Sequence, residues 1–295
     1  MNQKEIVQLI KNVGEDDLKK IEYLRPSMCQ QYRECGRITL YREILGIEQK
    51  TTYPATAYGT AIHNAVDFFG RFYKRNKNID FIDIVTNRFL KYFDKESKAI
   101  KKWRNDSYNH LVMEGKFAIK ELKNHIMPIF ERGNYDTEVK YIFNIKGVNR
   151  PIQCTADIVD YSTDTIYDMK FGRGIFGCAD PRGYKLNVST YAYGYKLETG
   201  VYPKVKLIKQ LWKAKQKDKV KKWYFTDIAL DDLQDSLNFT EDYSDYYQNI
   251  IADCEKGIDN KIFLPAVDTN YLCKVCYYQV NNICDIPGLE RKENT

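Results

Sequence analysis

The sequence predicts an α/β fold: a mixed sheet flanked by helices, with a helical N-terminal part and a cysteine-bearing C-terminal clasp. Three observations carry this expectation. Apolar residues recur at helical spacing through the first ~130 residues. The period then changes to that of strands near Asp136, and two further strand-like pieces follow after one intervening helix.

Taken in order, the segment IVQLIKNV, a stretch from Ser27 to Ile47 and a third from Tyr58 to Tyr73 repeat apolar residues every three or four positions. Residues 75–130 continue in that manner. Between 137 and 171, TEVKYIFNIKG, PIQCTADIVDY and TIYDMKF read as strands joined by turns at Gly147-Val148-Asn149 and Ser162-Thr163-Asp164. A glycine-rich loop, FGRGIFGCADPRG, leads into a helix from about Lys185 to Leu197. The pieces VKLIKQLWKA and KVKKWYFTDI are two more strands, a helix runs from about Leu230 to Cys254, and the tail is irregular. Neither an internal repeat nor a low-complexity linker interrupts this order. One domain is therefore expected over 1–295, with residues 1–130 mainly helical, 131–255 forming the core and 256–295 a C-terminal segment.

Composition narrows the function classes. With 43% hydrophobic and 29% charged residues over 295 positions, the chain has the makings of an apolar core, so disorder is excluded as its main state. No apolar run approaches the roughly 18 residues of a membrane span, and MNQKEIVQLIKNVGEDD lacks the apolar stretch of a signal peptide. The expectation is a cytoplasmic protein with no membrane partner. A net charge of +6 permits a polyanionic partner without requiring one. Eight cysteines in a reducing compartment point to metal or iron–sulfur ligation rather than disulfides.

The sharpest chemical feature is Asp157 with Asp168 eleven residues on and Lys170 two residues further. Side chains alternate along a strand, so Asp168 and Lys170 share a face. A two-residue loop at Ser162-Thr163 sets Asp157 opposite Asp168, and a four-residue loop sets it opposite Lys170; either keeps all three on one face. Facing carboxylates repel, and a hard divalent cation, Mg²⁺ or Mn²⁺, relieves the repulsion. Such an ion activates water and polarises a phosphoryl oxygen, while a nearby ammonium stabilises developing charge. In AYGTAIHNAVDFF, Gly59 and His63 lie four apart on a helix, so Gly59 leaves room beneath the imidazole for an ion or a close backbone, and His63 can serve as a nitrogen ligand. Glu138, opening the strand TEVKYIF, is a further candidate. Asn187, Tyr191 and Tyr195 form a polar-aromatic stripe at i, i+4 and i+8 on the later helix.

Cys273, Cys276 and Cys284 form C-x2-C-x7-C, and a tetrahedral site or a cubane cluster needs a fourth ligand. Cys29, Cys35, Cys154, Cys178 and Cys254 are the candidates. Cys29 and Cys35 stand about 240° apart around a helix axis, so both do not reach one centre.

In this order, G-x3-H (Gly59, His63), Glu138, Asp157, D-x-K (Asp168, Lys170), the helix with Asn187 and Tyr191, and then C-x2-C with a further Cys resemble the RecB-like branch of the PD-(D/E)XK nucleases. The resemblance spans about residues 25 to 285. It is nearest to the iron–sulfur members: CRISPR-associated RecB-like exonucleases, AddB-type helicase-nuclease subunits and phage exonucleases. It implies a restriction-endonuclease-like sheet and a DNA exonuclease acting on single strands or ends. It also implies Mg²⁺ or Mn²⁺ held by His63, Asp157, Asp168 and the Met169 carbonyl, with Lys170 as catalytic lysine and Glu138, Asn187 and Tyr191 supporting the site. Because SMCQQYRECGRITLYREILGI matches the family's N-terminal cysteine segment at Cys35, it implies a [4Fe–4S] cluster on Cys35, Cys273, Cys276 and Cys284. The chain departs from the family pattern at Asn187, where Gln is usual, at Gly36, where Pro is usual, and in the longer x7 spacing.

DNA is the partner this reading requires. Arg173, Arg182 and Lys185, in or just after the glycine-rich loop, are the better phosphate-contact candidates, while alternate lysines from Lys213 to Lys221, flanked by Trp212 and Trp223, read either as a backbone-contacting stripe with aromatics for bases or as an ordinary solvated hairpin face. A helicase or integrase partner and a bacterial, archaeal or phage-infected host fit the same family. The rival readings are a non-catalytic DNA-binding or assembly module and a zinc-stabilised structural protein.

Overall fold

A computed structural model describes residues 3–49, 53–103, 106–172, 181–217, 220–233, 245–265, 276–280 and 283–284; within these, the side chains of 3, 181–185, 212–226, 232, 245–246 and 279–280 lie outside the description. The helices are α1 (Gln3–Lys11), α2 (Glu15–Leu18), α3 (Pro26–Glu34), α4 (Gly36–Thr39), a π-helical turn (Leu40–Ile44), α5 (Pro54–Tyr73), α6 (Phe81–Ser97) and α7 (Tyr108–Glu131). Then come β1 (Tyr135–Phe143), β2 (Ile152–Asp160), β3 (Thr165–Lys170), α8 (Pro181–Thr199), β4 (Lys204–Lys217), β5 (Val220–Asp232), α9 (Asp245–Asp259) and α10 (Tyr277–Val280). The fold is mixed α/β. Its five-stranded sheet has the order β1-β2-β3-β4-β5, so β3 is the central strand.

Local chemistry explains the helix starts. Pro54 supplies a first-turn residue that has no amide to satisfy, Asp80 accepts the Asp83 amide at 2.8 Å, and the Ser107 hydroxyl accepts that of His110 at 3.3 Å. Strands β2 and β3 pair antiparallel, with Asp160 opposite Thr165 and Ile158 opposite Tyr167. Strand β3 pairs parallel with β4, from Thr165–Lys204 to Lys170–Lys209, and α8 supplies the long crossover that a parallel pair demands. Strands β4 and β5 form a long antiparallel hairpin with a bulge between Leu211 and Trp212. The helix expected from Leu230 is corrected here: Leu230 is a β5 residue paired with Ile208, and the described helix begins at Asp245. The backbone of β4 from Lys206 onward needs partners on its outer side, and β5 supplies them through Asp232. Among the described residues, no helix is long and apolar enough to cross a membrane.

The chain divides into two compact units. One comprises 51–141 and 154–243. Its core unites Tyr58, Ile62, Val66 and Phe69 of α5, Val85, Phe89 and Phe93 of α6, Ile119, Leu122, Ile126 and Phe130 of α7, and Ile158, Tyr167, Met169, Ile208 and Ile228 of the sheet. At full burial each such side chain contributes about 1.5–3 kcal/mol. Arg132, just past α7, donates to the fully buried Asp160 at 2.7 Å, and the Ser162 amide and Thr163 hydroxyl donate to the same carboxylate, which fixes the β2–β3 turn.

The other unit comprises 1–50, 142–153 and 244–295, so the two ends of the chain belong to the same unit. Glu255 on α9 accepts the amides of Asn149 (2.8 Å) and Arg150 (2.7 Å), and Leu24 bridges Ile152. Gly257 gives α9 room for the Tyr32 ring of α3.

Candidate active site

Helix α5 positions the first candidate. Gly59 packs directly on backbone: a Cβ there would lie 2.9 Å from the Phe171 carbonyl oxygen. Of the two uses foreseen for the space at Gly59, the close backbone is the one observed. Gly172 makes the reciprocal approach, with φ +102° and the Ala55 carbonyl 2.9 Å from a Cβ position. The two contacts draw α5 against the end of β3, and His63, one turn beyond Gly59, lies edge-on to the Phe171 ring at 5.8 Å.

The β2–β3 ladder, continued one step beyond Ile158–Tyr167, sets Asp157 opposite Asp168, the first of the two registers foreseen. Tyr167, Met169 and Phe171 enter the core, so Asp168 and Lys170 project from the other face, where the Lys170 ammonium contacts the Asp168 carboxylate. Lys170 also donates to the Met169 carbonyl at 3.3 Å. Asp157 Oδ2 accepts the Met169 amide at 2.6 Å, and its Oδ1 lies 3.4 Å from His63 Nδ1.

Glu138 completes the cluster in an unforeseen way. It does not open β1, which starts at Tyr135, but sits inside the strand at φ +50°. Neighbouring strand residues normally point to opposite faces. Here Thr137 Oγ1 donates to Asp67 of α5 at 2.7 Å, while the Glu138 carboxylate joins His63 on the same helix. The left-handed backbone at Glu138 breaks the alternation and turns both side chains toward α5. Ligand atoms of His63, Glu138 and Asp157 all lie within 4.8 Å of one another.

The charges respond to this crowding. Burial pushes the Glu138 carboxyl up, and the Asp157 charge adds to it, to about 7. Burial likewise raises Asp168, with Asp157 adding to the rise and Lys170 opposing it. For Asp157 burial acts upward but is outweighed by His63, Lys170 and the Met169 amide, so it stays below the usual carboxylate range. His63 is the converse: burial disfavours its charged form, yet Asp157 carries it above the ordinary imidazole value. Tyr191 of α8 is raised well above the ordinary phenol value, first by burial and then by Asp168 and Asp157. Two carboxyls resisting ionisation beside one that does not are a donor set suited to a divalent cation. One imidazole nitrogen with carboxylate oxygens fits Mn²⁺, and Mg²⁺ through its oxygens.

The remaining candidates separate. Asn187 is half-buried one turn before Tyr191. Tyr195 leaves the stripe for a structural task, its buried hydroxyl donating to Asp164 in the β2–β3 turn at 2.5 Å. Arg173 lies outside the described residues; Arg182 and Lys185 belong to α8, but their side chains lie outside them. Cys273 and Cys178 also lie outside. Cys35 stands at the α3–α4 junction, and Cys276 and Cys284 pack, with Ile38, on a group formed by Ile6, Tyr41 and Tyr278. Cys29 instead hydrogen-bonds Cys254, and this contact together with burial holds its thiol well above the ordinary value. Two residues of the cluster's surroundings, Asp67 and Thr137, escape the sequence reading; the one available signal is that Asp67 follows His63 by four on the same helix.

The sequence matches no family model and no curated protein. Among solved structures, it is similar to a crystal structure named "putative exonuclease" from Eubacterium rectale, with 10% identity and a TM-score of 0.48 over 90% of this chain and 92% of that one. It is also similar to the crystal structure of SSO0001, with 13% identity and a TM-score of 0.37 over 95% of this chain and 92% of that one.

Proposed function

We propose that this chain is a metal-dependent deoxyribonuclease of the PD-(D/E)XK type. The observation that carries the proposal is the meeting of His63, Glu138 and Asp157 beside the Asp168–Lys170 pair, in a place that leaves Glu138 and Asp168 reluctant to ionise. His63, Glu138, Asp157 and Asp168 would hold Mn²⁺ or Mg²⁺, with the Met169 carbonyl beside them. The bound ion supplies Lewis acidity toward a phosphoryl oxygen and a more acidic water. Asp157, ionised across the working pH range, supplies fixed negative charge, and its bond from the Met169 amide locks its orientation. Lys170, whose ammonium sits on the Asp168 carboxylate at the edge of the cluster, would stabilise the charge that develops on a phosphate held there. Tyr191 keeps its proton, so its hydroxyl can donate a hydrogen bond to a phosphate oxygen.

The finer reading is an exonuclease acting on single strands or ends, with phosphate contacts from Arg173, Arg182 and Lys185, a helicase or integrase partner and a cytoplasmic setting. A [4Fe–4S] cluster on Cys35, Cys273, Cys276 and Cys284 belongs to the same reading. Its support is the order of motifs in the sequence. The assay is cleavage of end-labelled single- and double-stranded DNA with Mn²⁺ by wild type, Lys170→Ala and Asp168→Ala. Wild type releases nucleotides and both variants lose the activity; equal cleavage by all three refutes the site. Iron analysis and visible absorbance of anaerobically purified protein test the cluster, and zinc without iron refutes it.

A further inference from the structure

The proposed metal site needs Glu138 in a backbone conformation that a glutamate does not choose, at φ +50° in the middle of a strand. Something must hold it there. The three residues before it are each attached to α5, the helix that carries His63, or to Lys74 at its C-terminal cap. The Tyr135 hydroxyl donates to the Gly70 carbonyl at 2.8 Å, Lys74 pairs with Asp136, and Thr137 Oγ1 donates to Asp67 Oδ1 at 2.7 Å. Asp67 is kept in place in turn by Arg71 Nε at 2.8 Å on the same oxygen. The Thr137 methyl occupies the hollow over Gly70, where a Cβ would come within 2.8 Å of it.

We infer that Asp67 and Thr137 are positioning residues for Glu138: their hydrogen bond clips β1 to α5 next to the left-handed residue and sets the spacing between the His63 and Glu138 ligand atoms. Asp67 lies four residues past His63, so one rigid turn of helix spans the imidazole and the anchor of the opposing carboxylate. Thr137 is the residue immediately before Glu138, so loss of its anchor acts directly on the strained backbone. The inference rests on the metal-site reading above.

The test is Mn²⁺ binding to the full chain by titration calorimetry, with thermal melting of each variant as a check on folding. Thr137→Val keeps the shape and β-propensity but removes the hydroxyl; it should weaken Mn²⁺ by roughly tenfold or more, the worth of one hydrogen bond to a charged acceptor. Thr137→Ser, which keeps the hydroxyl, should bind within about twofold of wild type. Asp67→Ala, which removes the acceptor, should weaken binding alongside Thr137→Val. Wild-type affinity in a folded Thr137→Val overturns the clip while leaving the metal site standing. Loss in Asp67→Ala with none in Thr137→Val also overturns it, because Asp67 would then act on the ion itself. A wild type that takes up no Mn²⁺ overturns the metal-site reading and the clip with it.

Discussion

The Glu138 carboxyl offers the most direct check on the charge balance of the site, and Glu138→Gln in metal-free protein is the perturbation. In the folded chain the carboxyl holds its proton to about pH 7 against an ordinary value of 4.5. A carboxyl raised on folding favours the folded state at low pH, and that advantage is lost as pH rises from the unfolded value through the folded one. Acting in full, the displacement would amount to roughly 3 kcal/mol above neutrality. Water still reaches this side chain, and screening reduces the figure to about 1–2 kcal/mol. Glutamine has nearly the same shape and keeps the same left-handed backbone, so the strain cancels in the comparison and the charge remains. Urea unfolding in the presence of chelator should find the two proteins nearly equal at about pH 4.5 and the variant about 1–2 kcal/mol more stable at about pH 8. Parallel pH curves, or a variant less stable at the higher pH, would refute the account of Glu138 as a carboxylate forced into a crowded acidic site.

Two other outcomes follow from packing and buried charge. Arg132→Met leaves the fully buried Asp160 without its cation and should cost about 3–5 kcal/mol in urea unfolding, part of which Asp160→Asn recovers in the double variant. Gly59→Val drives a branched side chain into the Phe171 carbonyl, whose oxygen already lies 2.9 Å from a Cβ position; a loss of about 2–3 kcal/mol is expected, together with weaker Mn²⁺ uptake because the displaced backbone directly follows Lys170.

Much of this architecture is legible in the sequence, and the parts that are not share a cause. The 3.6 periodicity of 58–73 announces α5, and the D-x-K spacing puts Asp168 and Lys170 on one face whatever the register. The β2–β3 turn left two registers open. Asp160 decides between them by collecting the Ser162 amide, the Thr163 hydroxyl and Arg132, the last of which is 28 residues away along the chain. Leu230 reads as a helix start because LDDLQDSLNF carries apolar residues at helical spacing, but a strand already laid down beside it overrides that preference. Glu138 is the most instructive case. A left-handed position usually advertises itself as Gly or Asn. Here the conformation is imposed by attachments to a helix more than sixty residues upstream, so no local window of sequence contains the information.

That imposed conformation bears on why the site is built as it is. A chain selected for stability alone would gain from an amide at Glu138, since partial burial and the Asp157 charge oppose its ionisation. It would also gain from an ordinary strand backbone at 138. Lys170 and His63 offset part of the negative charge, but each is already engaged, Lys170 with Asp168 and His63 with Asp157. Among the described residues, His63 and Arg71 offset the charge of an ionised Glu138 only in part, since its carboxyl stays raised. The arrangement would become favourable with a further positive charge among the carboxylates and the imidazole, and a divalent cation held by His63, Glu138, Asp157 and Asp168 would supply it. Strain at Glu138 and the resistance of Glu138 and Asp168 to ionisation thus have one remedy in common, which is the physical ground for reading the cluster as a metal centre.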